Sequence, residues 1–125
     1  MTIYQDQWKP VAIALPNILG MKFQALIKGC GEQVEIEVFA SRLPTFTGLR
    51  ELIEKGHVTG GSRKNQAFLG NDLVIEPSVE PWLVEVVLDA QTSGGLALFT
   101  PREIPGMDPI GIVRDGSARI RVAGR

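Results

Sequence analysis

Residues 89–100 read Asp89-Ala90-Gln91-Thr92-Ser93-Gly94-Gly95-Leu96-Ala97-Leu98-Phe99-Thr100. Two hydroxyl residues and two adjacent glycines stand between apolar runs, Trp82 to Leu88 before them and Leu96 to Phe99 after, and Pro101 stops the second run. Neighbouring glycines accept positive φ and leave their amides uncrowded. With Thr92 and Ser93 beside them, Gly94 and Gly95 have the chemistry of an anion-binding loop. The same residues serve equally as a turn whose glycines pack beneath a neighbouring element, and spacing alone favours that plainer reading, because short glycine loops are weakly specific. In both readings a tight turn joins two elements that are buried.

The rest of the chain supplies the partners for those elements. Val11 to Leu15 is an apolar run ended by Pro16, too short for a lone helix and therefore expected as a strand. Asn17 is placed to cap a helix reaching about Lys28, with Leu19, Phe23, Leu26 and Ile27 on one stripe. Gln33 to Phe39 alternates strictly, Val34, Ile36 and Val38 against Gln33, Glu35 and Glu37, which predicts a half-buried strand with a wet carboxylate face. Thr47 is expected to cap a second helix, Gly48 to Lys55, with Leu49, Leu52 and Ile53 inward and Gly56 as its stop. His57 to Asn65 reads as a polar, basic loop. Leu73 to Ile75 is a short strand, and Pro81 suits the first turn of a helix whose inner stripe is Val79, Leu83, Val86 and Val87. Ile110 to Val113 and Ala118 to Val122 alternate around Asp115-Gly116, which predicts a hairpin. Strands and helices in this order define an α+β class, a mixed β-sheet packed with helices.

The 125 residues suffice for one domain, 1–125, with 1–10 as a flexible or extended arm. A formal net charge of −1 creates no field for nucleic acid or an anionic membrane. Apolar runs all fall short of a membrane span, and the N-terminus lacks a basic-then-apolar leader pattern. The single cysteine, Cys30, cannot form an internal disulfide, so a reducing, cytoplasmic setting is expected.

Chemistry-bearing residues are sparse. Cys30, between Gly29 and Gly31, would need a base or cation to become reactive, and the only histidine is His57; a plain turn or core cysteine is the simpler reading. Glu35 and Glu37 could be imagined on a metal, but alternating outward carboxylates are more simply a solvated face. The 57–65 segment exposes amides at Gly60 and Gly61, adds charge at Arg63 and Lys64 and hydrogen-bonding groups at Ser62 and Asn65, and so suits a phosphate or another acidic group. It lacks the spacing of a P-loop. A surface connection explains it equally well. The anion- or ligand-binding candidates are therefore Gly60, Gly61, Ser62, Arg63, Asn65, Thr92, Ser93, Gly94 and Gly95; no catalytic or metal-ligating residue is assigned.

Two of these segments carry a resemblance. Asp89 to Leu96 resembles the Asp-Pro-Gln-Thr-Ser-Gly-Gly-Leu signature of selenophosphate synthetases (selenide, water dikinases), and Gly56-His57-Val58-Thr59-Gly60-Gly61-Ser62-Arg63-Lys64-Asn65 is similar to that family's Gly-x-x-Pro-Gly-Gly-Ser/Thr-x-x-Asn segment, here also followed by Phe68-Leu69. The matched region runs from about Gly29 to Thr100. The resemblance implies a domain like the C-terminal α+β domain of the aminoimidazole ribonucleotide synthetase superfamily. It also implies phosphoryl transfer from ATP to selenide, with ATP and magnesium held mainly by an N-terminal domain.

The chain departs from that pattern. The family's Asp-x-Thr-Gly-Phe-Gly segment should fall near Ala12 to Gly20, which reads Ala-Ile-Ala-Leu-Pro-Asn-Ile-Leu-Gly and contains no carboxylate. The family's reactive cysteine or selenocysteine position is not matched by Cys30. Pro101 to Pro109 is too short and broken for the helix that family members place there. The expectations are thus a shortened relative without kinase activity or cofactor in the isolated chain, working as a binding or oligomerising module, or else a component of a selenide, water dikinase with a separate ATP-binding-domain protein. Sheet surface left open by the missing helix predicts self-association, most simply a homodimer through the 110–122 strands or the uncovered sheet face.

Overall fold

A computed structural model describes residues 2–4, 11–13, 34–89, 97–100, 104–117 and 119–124. The expected helix at 17–28, Cys30 and Thr92 to Gly95 lie outside the described residues. The described strands are β1 (Thr2–Tyr4), β2 (Val11–Ile13), β3 (Val34–Phe39), β4 (Leu73–Ile75), β5 (Ala97–Thr100), β6 (Pro109–Asp115) and β7 (Arg119–Ala123). The described helices are α1 (Leu49–Glu54), α2 (Gly60–Leu69) and α3 (Pro81–Leu88). This is an α+β fold on a mixed sheet of strand order β2-β5-β1-β6-β3-β7-β4. The N-terminal residues expected as an arm include β1, which lies between β5 and β6 and runs parallel to both.

Alternation along β3 organises the core. Ile36 lies opposite Val113 on β6 and Ile120 on β7, and Val38 opposite Gly111 and Val122. Helix side chains Leu69, Leu83, Val87 and Leu88, with Val79 just before α3, close over this face. Gly111 has a specific reason to be glycine: a Cβ there would collide with the Glu37 carbonyl and come within 3.3 Å of the Val38 Cα.

Four expectations are corrected. First, β6 and β7 are not a hairpin, because β3 lies between them, antiparallel to β6 and parallel to β7. The Asp115-Gly116 connection therefore spans two strand spacings, about 10 Å. Gly116 has no positive φ of the kind a tight hairpin turn needs; it lies where a Cβ would come 3.2 Å from that of Glu35, at the start of β3. Alternation and an Asp-Gly pair specify two strands and a reversal, and say nothing of a third strand inserted between them. Second, Glu37 is not on a wet face: it is 4% exposed, and the half-exposed Arg114 reaches its carboxylate at 3.0 Å.

Third, α1 buries no residue, and Leu52, expected inward, is 50% exposed. Thr47 does not cap it; Gly48 occupies the N-cap in the left-handed region at φ 84°, without a side-chain capping bond. The helix is tied down from outside. Arg50 bonds Glu54 at 2.8 Å, reaches Glu80 at 3.2 Å and lies 5.8 Å above the Trp82 ring, while the Trp82 indole N–H donates to Glu80 at 2.7 Å. Gly56, at φ 88°, follows the end of α1 as expected. Fourth, the polar loop read at 57–65 is helical from Gly60 onward.

Candidate functional site

The fourth correction shapes the site. Ser62, Asn65 and Leu69 are the buried positions of α2 and fall at i, i+3 and i+7 on one helical face. Two of the three are polar, so the stripe gives no hydrophobic periodicity, and two glycines at the start read as loop. The signal available in the sequence was Thr59 at the N-cap position followed by the helix-favouring run from Arg63 to Leu69.

What buries those polar groups is the C-terminal end of α3. The Asn65 amide donates to the Leu88 carbonyl at 2.7 Å, satisfying one of the acceptors that a helix end leaves open. Next to it, the Thr59 hydroxyl donates to the Asp89 carboxylate at 2.7 Å, and Ser62 and Thr59 hydroxyl oxygens lie 3.3 Å apart. An ionised carboxylate only accepts, so the Thr59 proton is committed to Asp89. The remaining contact must then run from Ser62 to Thr59, giving a chain of bonds Ser62 to Thr59 to Asp89.

The two motifs, far apart in sequence, are therefore clasped at Asp89, where the Thr92 to Gly95 stretch begins three residues further on. Gly60 and Arg63 are exposed and Gly61 partly so, whereas Ser62 and Asn65 face the protein interior and bind its own groups. No side chain caps the N-terminus of α2. His57 is exposed, its amide bonded to the Leu52 carbonyl at 3.0 Å.

The carboxylates Glu35, Glu37 and Asp89 are all engaged within the chain. Glu35 is ion-paired with Arg119 and Arg121, Glu37 with Arg114, and Asp89 takes the Thr59 hydroxyl. Among the described residues no group of three or more His, Cys, Asp or Glu could hold a metal ion, and no helix is long and apolar enough to cross a membrane.

The fold defines the chain as an α+β protein in which the glycine-bearing start of α2 is bonded to the end of α3 and to Asp89. Comparison with known proteins narrows that class. No protein-family model matches the chain. It is 37% identical over 68 residues, 54% of its length, to the selenide, water dikinase of Nitratidesulfovibrio vulgaris strain DP4. It is 31% identical over 106 residues, 74% of its length, to the selenide, water dikinase of Burkholderia cenocepacia. Selenide, water dikinase 2 of Peptoclostridium acidaminophilum is 28% identical over 100 residues, 80% of the chain. The chain is selenophosphate synthetase-like over the part that these proteins match. It covers 19%, 30% and 28% of their respective lengths.

Proposed function

We propose that the chain is an anion-binding module of selenophosphate synthetase type, without kinase activity by itself, acting in the cytoplasm as a homodimer. The observation that carries this reading is the clasp of Thr59 on Asp89 and Asn65 on Leu88. It joins the start of α2 to Asp89, the first residue of the second motif, which supports an anion site drawing on the Gly60 and Gly61 amides, the Arg63 guanidinium and Thr92, Ser93, Gly94 and Gly95. Ser62 and Asn65 serve this site from beneath, as the groups that hold it together.

Phosphoryl transfer is chiefly positioning and charge stabilisation around metal-held phosphates. The absence of any carboxylate in Ala12 to Gly20 supports a module that binds without transferring. The apolar side chains of Ile110, Val113, Ile120 and Val122 are buried within the chain. Among the described residues Phe46, Leu52, Val58 and Phe68 are the exposed large apolar groups, and self-association would draw on them.

A second reading is favoured by the names of the relatives: the chain is the non-nucleotide component of a selenide, water dikinase, completed by a separate ATP-binding-domain protein. Phosphate release from ATP with selenide, measured on the chain alone and with an added nucleotide-binding partner, separates the two. No release in either case, together with saturable phosphate binding, supports the first. Release only with the partner supports the second, and release by the chain alone overturns the first.

A further inference from the structure

The sheet face opposite the core holds a second cluster of charge that no part of the proposed function uses. Register places Glu35 between Arg114 on β6 and Arg119 on β7, and Glu37 beside Arg121. The ion pairs then run Arg114 to Glu37 at 3.0 Å, Arg119 to Glu35 at 3.5 Å and Arg121 to Glu35 at 3.2 Å. Among the described residues three guanidiniums meet two carboxylates, so this part of the face is net positive on a chain of net charge −1.

The geometry at Glu35 matters most. Arg119 and Arg121 both turn their Nε groups to that one carboxylate, the acceptor they share among the described residues. A guanidinium has five N–H donors in a fixed plane, and two such planes share one acceptor here. The side chains are 39% and 32% exposed, so both are reached by solvent. Their Cα atoms stand two residues apart on one face of β7, about 7 Å. Glu35 thus holds two arginine forks side by side, with no second acceptor for them among the described residues, an arrangement suited to recognising a planar or tetrahedral oxyanion.

We propose that Arg119 and Arg121, oriented by Glu35 and flanked by Arg114, form a binding surface for a phosphate-bearing small molecule. Inorganic pyrophosphate is the probe, with inorganic phosphate and ADP as companion arms. The full chain is titrated while the arginine Nε–H signals are followed by NMR. Signals of Arg119 and Arg121 should shift saturably with pyrophosphate, less tightly with phosphate, and the affinity should fall as salt is raised. Tighter binding of ADP than of pyrophosphate would identify a nucleotide as the source; equal binding would identify the phosphates alone.

R119Q and R121Q each leave Glu35 one arginine partner, so the fold is retained, and each should weaken pyrophosphate about tenfold. R50Q, on α1, is the control and should bind as the parent does. Arginine signals that stay fixed while the amides of Gly60, Gly61 and Thr92 to Gly95 move would overturn this surface and leave the proposed function standing. The reverse pattern would do the opposite. Unchanged affinity in both R119Q and R121Q also overturns it.

Discussion

Replacing Asn65 with alanine tests whether the clasp between α2 and α3 is as important as the geometry implies. Asn65 is 3% exposed, and its amide reaches the Leu88 carbonyl at 2.7 Å. Alanine removes that bond and strands a buried acceptor at the end of α3, a loss of about 2 kcal/mol, since a typical bond contributes about 1 and an unsatisfied buried group costs about 1–3. In a chain of this size that lowers Tm by roughly 8 °C. Asn65→Asp sharpens the test. A buried carboxyl facing a carbonyl favours its protonated form, so its folded pKa lies above the unfolded value of about 3.9. The protonated group donates to Leu88 and the ionised one cannot. The variant should therefore be closest to wild type below the unfolded pKa, and its deficit should grow as pH rises through the folded pKa. Urea unfolding followed by circular dichroism at several pH values reads both effects. An Asn65→Ala variant as stable as the parent, or an Asn65→Asp deficit independent of pH, would refute the assigned bond.

Other outcomes follow from the same packing. Gly111→Ala should destabilise by about 2–3 kcal/mol, because the new methyl meets backbone rather than a movable side chain, and chemical denaturation measures it. Ile36→Ala, at a fully buried position in the centre of the sheet, should cost about 3 kcal/mol in the same assay, and a loss under about 1 kcal/mol would contradict its place in the core. For association, sedimentation at micromolar concentration should show a dimer that Phe46→Ser and Phe68→Ser together convert to monomer; a parent chain that is already monomeric removes the oligomerising part of the proposal. These two side chains are 88% and 54% exposed, so the double variant should leave the fold unchanged by circular dichroism.

What the sequence determined by itself is whatever depends on near neighbours. Alternation identified β3; a short apolar run before a polar turn identified β4; Pro81 and a following apolar stripe identified α3; and Gly56 marked the end of α1. Each of these patterns is complete within a few residues, because strand and helix periods relate positions two to four apart. The contact of Thr59 with Asp89 was not legible, since the glycine motifs name a chemistry without a partner.

Tertiary structure decided the rest, through contacts between residues far apart. Asn65 and Leu88 are 23 positions apart, and Arg121 and Glu35 are 86 apart. Helix α2 was hidden because two of its buried positions are polar and become interior groups only when the end of α3 supplies their partners. Glu37 looked solvated because alternation assigns a face without saying what will cover it, and β3 entered between β6 and β7 because both of its edges found hydrogen-bonding strands there. A local pattern states which side chains share a face; only the assembled sheet settles what that face meets, because burial and pairing depend on segments that the pattern does not contain.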